Sequence, residues 1–453
     1  MQQVDVLIIG TGTAGETAAS ILREAGLAVA IADRDDFGGT CALRGCQPKK
    51  YLVVPAHAAL EGQALTERGF TAAPVLDWNT MQRSRAEFTD PVPAATARGL
   101  SAIGVQTFSG ECRFLNRETV VCGDQTITAR RFLIATGARP RPLPIPGGDL
   151  AGTSDDFLYL RELPEHVTFI GGGYISMEFA TVAAAAGASV TVLQRGARVM
   201  DRFDPDLVDA LQESCSARRI DIRTGVQIQS IERSDQGRYR VRLTGTGDAP
   251  EPTQLETDLV IAALGRVPNT DALNLAGAGV NAGPRGIETD ASMRSSSPTI
   301  YAAGDCVASV QLSPVSDAEA RTAARNIIAD LTAGTRAEVD RAALPTVVFT
   351  YPQLAQFGLS ETEATARGGV RINRGSGAGW PNYRRLNESH MHYKVMIDEA
   401  SDRILGAHIL APHAGELINL FALAAAQGTT ASEFREFPWA YPTYTSDLKY
   451  MLS

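Results

Sequence analysis

The sequence predicts an α/β chain built from two Rossmann-like units followed by an α+β unit. Two observations carry this: the order strand, glycine turn, helix, strand opens the chain, and it returns about 160 residues later. A third is the C-terminal stretch, where strand patterns (PTVVFT, HYKVMID, RILGAHIL) accompany one apolar helical run, ELINLFALAAAQ. The length of 453 residues suits about three units at roughly 150 residues each. Chain order divides them as 1–150 with 272–338, then 151–271, then 339–453.

The first unit reads VDVLIIG, GTGTAG, ETAASILREAG, LAVAIAD. Gly10 permits a tight turn, Gly12 lets a pyrophosphate approach the backbone, and Gly15 allows close helix packing, while the helix N-terminus favours phosphate charge. Asp33 closes the second strand, where a carboxylate takes a ribose hydroxyl. With strand, helix and acid in register, the unit is expected to bind a dinucleotide. The excursion that follows ends in FLIATG, and the chain returns through TIYAAGD, which places Asp305 after an apolar strand.

The second unit reads HVTFIGGGYISMEFATVAAAAGASVTVLQRG, with Gly171 and Gly173 in the first two glycine positions and Ser176 in the third. Gln194 stands where the acid is expected, and Arg195 and Arg198 follow. Without a carboxylate for a free 2′-hydroxyl, and with guanidinium groups for a 2′-phosphate, this unit is expected to prefer NADPH to NADH.

Composition narrows the class. Apolar residues at 44%, charged residues at 21%, 42 Gly and 23 Pro are ordinary globular values and exclude disordered, collagen-like and coiled-coil chains. A net charge of −9 without a basic cluster argues against nucleic acid and anionic membrane surfaces as partners. The apolar run from Phe179 to Leu193 is interrupted by Gly187 and Ser189 and is short of a bilayer span. No charged start with a cleavable apolar segment precedes the first strand, so a cytoplasmic protein is expected.

Six cysteines are too few for a disulfide scaffold. The pair in GGTCALRGCQPKK, Cys41 and Cys46, is close enough for one helical turn to bring the sulfurs together, which suits a redox dithiol. A zinc site would need further ligands that the neighbourhood lacks. Cys112, Cys122, Cys215 and Cys306 have no motif spacing and read as buried small residues. His390 and His392 alternate on a predicted strand and read as solvated residues.

The chain resembles the FAD-dependent pyridine nucleotide-disulfide oxidoreductases, the family of glutathione reductase, dihydrolipoamide dehydrogenase and mercuric reductase. The resemblance spans essentially the whole chain and rests on GTGTAG, GGTCALRGCQPKK, ATG at Ala135–Gly137, GGGYISMEFA, GRVPN at Gly265–Asn269, AAGD at Ala302–Asp305, and PTVVFT at Pro345–Thr350. It implies FAD on the first unit, NAD(P)H on the second, and a homodimer through the third. Cys46 would sit beside the flavin and Cys41 would meet substrate.

Lys49 and Glu178 would form an ion pair near the flavin, with Lys49 stabilising charge on the reduced ring. The FAD side would also draw on Gly10, Gly12, Thr13, Ala14, Gly15, Asp33, Thr40, Thr136, Gly137 and Asp305, on backbone contacts at Cys112, and on the helix after Ser313 with its N-terminal dipole. The NADPH side would draw on Gly171, Gly172, Gly173, Ile175, Arg195, Arg198, Gly265 and Val347, with Tyr174 covering the nicotinamide pocket.

Two departures from that family bear on the electron acceptor. Disulfide-reducing members end in a His-Pro-Thr-x-x-Glu motif, whereas this chain ends WAYPTYTSDLKYMLS, with Tyr441 at the His position, Ser446 at the Glu position and Asp447 one residue out of register. A tyrosine is a poor base at neutral pH, and losing a positioned acid/base costs roughly 10²- to 10⁴-fold. Ser20 stands where glutathione reductases carry a substrate-binding arginine, and Asp317 and Glu319 flank the second such position, Arg321. The expected acceptor is a small-molecule or protein disulfide. Alternatives are a soft metal ion of mercuric or copper type, a quinone, or a slow-turnover redox sensor; no cysteine after Cys306 supplies the C-terminal pair that mercuric reductases use.

Overall fold

A computed structural model describes residues 2–245, 253–340 and 344–453. They divide into two units. The first comprises Met1–Lys50, Arg83–Arg141 and Arg266–Arg341, and the second Tyr51–Gln82, Pro142–Gly265 and Ala342–Ser453.

In the first unit the expected parallel sheet is present. Its strands run in the order Gln106–Ser109, Val29–Asp33, Gln2–Ile9, Gln125–Ile134, Thr119–Cys122, Cys112–Asn116. The first four are mutually parallel, and the last two form an antiparallel hairpin on the far edge. Val6, Leu7, Ile8 and Ile31 are fully buried, as continuous apolar runs require of strands covered on both faces.

The strand Gln125–Ile134 explains how the interrupted unit is completed. Its early residues, Gln125–Thr128, pair with the hairpin, and its late residues, Phe132–Ile134, pair in parallel with the returning strand Ile300–Ala302. Helices Thr13–Glu24 and Ser313–Thr332 pack together beside the sheet through small residues, among them Ala18, Ala19, Ala320 and Ala323, all fully buried. Gly10 and Gly15 make the first turn close: a Cβ on Gly10, at φ +113°, would lie 2.2 Å from Ala135 O, and one on Gly15 would lie 1.9 Å from Gly10 O.

The second unit holds the other glycine turn on a four-stranded parallel sheet, Ile220–Arg223, Ser189–Leu193, His166–Ile170, Leu259–Ala262. A three-stranded antiparallel meander, Val226–Arg233, Tyr239–Gly245, Thr253–Thr257, is inserted before the last strand. Helix Tyr174–Ala185 is buried from Ser176 through Ala183, which matches a sequence that is apolar apart from Ser176, Glu178 and Thr181 in that stretch.

The same unit contains a five-stranded antiparallel sheet in the order Thr346–Val348, Gln353–Gly358, Ile404–Ala411, His392–Asp398, Val370–Ser376, covered by helix Ala414–Gln427. An ion cluster around buried Lys394 ties this sheet to the glycine-bearing part: its Nζ lies 2.9 Å from buried Asp204, 2.6 Å from exposed Asp206 and 2.5 Å from Glu361. His390 falls outside the strand that starts at His392 and donates its backbone N–H to Glu388, so the two histidines do not alternate on one strand as expected.

Among the remaining cysteines one expectation is corrected. Cys112 and Cys122 are bonded to each other as a disulfide, while Cys215 and Cys306 are buried thiols. The two half-cystines face each other across the antiparallel hairpin. A bulge between Phe114 and Asn116 shifts the register by one residue and brings them opposite, a shift that counting outward from the turn does not reveal.

Candidate active site

Cys41 lies in the short helix Gly39–Leu43, and Cys46 opens the helix Cys46–Ala64. The expected single helical turn is therefore two helices with a break at Arg44 and Gly45. The first ends because Arg44 leaves helical geometry at φ −131° while its N–H still closes on Thr40 O at 2.8 Å. The break places Cys46 at a helix start, where partial positive charge favours a thiolate.

A third element completes the group. Ser313, first residue of the helix Ser313–Thr332, holds its Oγ 3.3 Å from Cys46 Sγ and 3.3 Å from Cys41 Sγ. The Thr13 hydroxyl from the glycine turn also bonds Cys41. The two thiols consequently differ in acidity. Cys46 is drawn down to about 5, mainly by the hydrogen bond from Cys41, against the effect of burial and with help from Ser313 and the ammonium groups of Lys49 and Lys50. Cys41 is pushed far above the ordinary thiol range by the same hydrogen bond and by burial. The pair thus holds one proton on Cys41 and negative charge on Cys46.

The first glycine turn lies directly against the dithiol helix: a Cβ on Gly39 would stand 2.4 Å from Gly12 Cα. Asp33 secures the turn, its Oδ2 accepting from Thr11 N and Thr11 Oγ1, both at 2.7 Å. Around a Cβ on Gly12, chain neighbours aside, the only atom of the described residues within 4 Å would be Gly39 Cα at 3.7 Å, so packing among them does not require glycine here and space is left for a ligand's phosphates. Asp305, after the returning strand, is pushed up to about 6 by burial, against Arg266 and with the negative charge of Cys46 adding to the rise. Thr136 and Gly137 are held by Asn269, whose Nδ2 donates to Thr136 O at 3.1 Å and whose N–H donates to Gly137 O at 2.9 Å. This cradle of open glycine, helix starts and poised carboxyl fits a dinucleotide such as FAD.

In the second unit Gln194 does for its glycine turn what Asp33 does for the first. Its Oε1 accepts from Gly172 N at 3.0 Å, and its Nε2 donates to Arg198 O at 3.2 Å. Arg198 is paired with Asp209 at 2.8 Å, whereas Arg195 is solvent-exposed. A Cβ on Gly173 would meet no atom of the described residues within 4 Å, its chain neighbours aside, an open position like that at Gly12. Tyr174 and Ile175 begin the helix after it. Glu178 is 2% exposed, and its Oε1 accepts from Phe349 N at 3.0 Å, just past the strand that contains Val347. Gly265 adopts φ +88° after the strand Leu259–Ala262.

Tyr441 is 71% exposed. Asp447, the nearest carboxyl to the expected Glu position, is instead buried and accepts from Asn382 Nδ2 at 2.8 Å. Arg321 is engaged by Asp317 at 2.7 Å, and Ser20 lies on an exposed helix face. Sequence reasoning missed three features: the double contact of Ser313 with the sulfurs, the Thr13 contact with Cys41, and the Gln194 brace. Only the last had a local signal, since Gln194 occupies the position of Asp33 in the repeated pattern.

Residues 4–323 match the family model of the pyridine nucleotide-disulphide oxidoreductases, and residues 344–452 match that family's dimerisation domain. The chain belongs to this family. It is a FAD-dependent disulfide oxidoreductase and carries the family's dimerisation domain at its C-terminal end. A glutathione reductase of Burkholderia cepacia is 34% identical over 450 residues, covering 98% of this chain and 97% of that protein. A mercuric reductase of Staphylococcus aureus is 31% identical, covering 98% and 81%. Among solved structures, the HOCl-induced flavoprotein disulfide reductase RclA from Escherichia coli superposes with a TM-score of 0.88 at 26% identity over 99% of both chains, and is also solved as a Cu(II) complex. Among the described residues of this oxidoreductase, no helix is long and apolar enough to cross a membrane.

Proposed function

We propose that the protein is a homodimeric, NADPH-dependent reductase that delivers electrons through the Cys41/Cys46 dithiol to a disulfide substrate. The observation that carries this reading is the placement of Ser313 Oγ at 3.3 Å from each sulfur, which holds the pair as one thiol and one stabilised thiolate. FAD, when bound, relays the electron pair of the NADPH hydride to the Cys41–Cys46 disulfide. That leaves Cys41 as a thiol and Cys46 as a thiolate.

The substrate step requires the shared proton to shift against this resting distribution. The Cys41 proton moves to Cys46 within the hydrogen-bonded group, and the Cys41 thiolate attacks one substrate sulfur, forming a mixed disulfide and releasing the first thiolate. Cys46 gives its proton to a leaving sulfur and displaces the second, which restores the Cys41–Cys46 bond. Lys49 and Glu178 are assigned to the flavin side, and Tyr174 to the cover of the nicotinamide pocket. NADPH preference is supported by the neutral Gln194 and by exposed Arg195, with Arg198, already paired to Asp209, contributing less.

A second reading, reduction of a thiophilic metal ion, is favoured by one specific feature. Tyr441 replaces the acid/base that a departing thiol needs, and a metal ion bound by thiolates needs none. The mercuric reductase relative and the Cu(II) complex of RclA make this class chemically apt.

The deciding experiment is anaerobic reduction with NADPH, followed separately by oxidised glutathione, a small dithiol-derived disulfide, Hg(II) and Cu(II). Rapid reoxidation of the dithiol by a disulfide supports the first reading. Reoxidation by metal ions alone, abolished by Cys41→Ala, replaces it with the second.

A further inference from the structure

The Cys112–Cys122 disulfide has no part in the electron path just described. Cys112 begins the edge strand Cys112–Asn116, and Cys122 ends its partner Thr119–Cys122, so the bond closes the open end of the hairpin. Cys112 is 4% exposed and Cys122 1%, in contrast to half-buried Cys41 and exposed Cys46. The chain therefore contains two dithiol positions of opposite accessibility.

The closed end of the hairpin abuts the nucleotide turn through a short series of contacts. Gly123 N–H donates to Glu111 O at 3.1 Å, and Gly110 N–H donates to Asp33 O at 2.8 Å. A Cβ on Gly110 would stand 2.8 Å from Gly123 Cα, so the two strand ends run in direct contact. The Glu111 carboxylate faces Arg34 at 3.6 Å. Asp33 in turn holds the turn itself by accepting from Thr11 N at 2.7 Å. The segment that the disulfide ties down is thus the neighbour of the carboxylate that braces the glycine turn.

We propose that Cys112–Cys122 is a second redox site, separate from the catalytic pair, whose oxidised form pins the Gly110–Cys112 segment beside Asp33 and slows release of the dinucleotide held at the Gly10–Gly15 turn. The proposal rests on the assignment of FAD to that turn. In the disulfide form the segment is fixed covalently; in the dithiol form it is held by backbone hydrogen bonds and the exposed Glu111–Arg34 pair, and each binding event must order it at an entropic cost. Two buried thiols behave as small apolar groups, so the hairpin persists in either state.

The chemistry is thiol–disulfide exchange with a low-molecular-weight disulfide. One cysteine thiolate attacks a substrate sulfur and releases one thiol. The second cysteine then displaces the other thiol and closes the ring. Two electrons and two protons leave the pair as two small thiols. Burial makes this exchange wait for local opening of the edge hairpin, whereas the catalytic pair, with half-buried Cys41 as the attacking thiol, needs no such opening.

The test equilibrates the holoprotein in oxidised and in reduced glutathione buffers, maps each cysteine by alkylation and peptide mass, and follows FAD release by the fluorescence of free flavin. The expected result is a mapped Cys112–Cys122 bond in the oxidised buffer only, with FAD release faster by about fivefold or more in the reduced one, the lower end of coupling between linked sites. The Cys112→Ala, Cys122→Ala double variant is expected to release FAD at the faster rate in both buffers. Free Cys112 and Cys122 in the oxidised buffer, equal release rates in the two mapped states, or a double variant that still responds to the buffer each overturn the proposal. Gly12→Val separates the underlying assignment: if that variant retains FAD normally, the placement of FAD is wrong, whereas its loss of FAD with no redox effect condemns the staple alone.

Discussion

Ser313 Oγ stands 3.3 Å from Cys46 Sγ although the two residues are 267 positions apart in the chain. The contact joins the starts of two helices, and with Lys49 and Lys50 it adds to the hydrogen bond from Cys41, the main cause, in drawing the Cys46 thiol down to about 5. Replacing Ser313 by Ala removes a hydrogen bond to a charged group, a loss of about 1.5–3 kcal/mol, or roughly one to two pH units. The pH dependence of iodoacetamide alkylation at Cys46 in the dithiol enzyme is therefore expected to move upward from a midpoint near 5. Ser313→Thr should restore it; an unmoved midpoint in Ser313→Ala would remove Ser313 from the acid–base group.

The same acidity sets a pH limit on the wild-type enzyme. Cys46 has a folded pKa below that of a free thiol, so its charge is present above about 5 and is lost as pH falls through that value. Reactivity of the dithiol form toward disulfides is expected to fall on the acid side of this midpoint. A flat profile through that range, measured by stopped-flow reoxidation, contradicts the assignment.

Coenzyme choice is expected to follow Gln194 and Arg195. Glutamate at 194 can still accept from Gly172 N, though it gives up the donation to Arg198 O, while its charge repels a 2′-phosphate and bonds a free ribose hydroxyl. Gln194→Glu combined with Arg195→Ala should lower the kcat/KM ratio of NADPH to NADH by about 30-fold, corresponding to roughly 2 kcal/mol for truncating one side of a charge pair. An unchanged ratio places coenzyme discrimination elsewhere.

Tyr441 offers a test of the missing acid/base. The side chain is 71% exposed, so substitution there costs the fold little. If a disulfide is the acceptor, Tyr441→His should raise turnover with oxidised glutathione by about tenfold or more, part of the 10²–10⁴ range of a positioned acid/base. No gain, together with undiminished metal-ion reduction, favours the metal reading.

Lys394 is expected to matter for stability. It is 3% exposed and neutralises Asp204, itself 4% exposed, so Lys394→Met leaves a carboxylate buried without its cation. Breaking one side of such a pair costs about 3–5 kcal/mol, and urea unfolding should shift accordingly. A change within about 0.5 kcal/mol, the range of ordinary surface substitutions, would show the cluster to be dispensable.

The nucleotide turns were legible in the sequence because their signals are local. A strand, a glycine turn and a helix lie within one contiguous stretch, and GTGTAG with Asp33, or GGGYIS with Gln194, carries its own steric and electrostatic reason. The cysteine pair was legible for the same reason, although its single helical turn proved to be two helices broken at Arg44 and Gly45. What sets the acidity of that pair was not legible. Ser313 reaches the sulfurs because the returning strand Ile300–Ala302 pairs with Phe132–Ile134 and delivers the helix start there, a contact between segments far apart in the chain. The Cys112–Cys122 bond depends likewise on a one-residue bulge that only the paired strands reveal. The sequence by itself determined which chemical groups are present and where the tight glycine turns fall, since backbone sterics act over a few residues. Tertiary structure decided which of those groups share a proton and which share a bond, because hydrogen bonds and disulfides require atoms within a few ångströms and register alone brings them there.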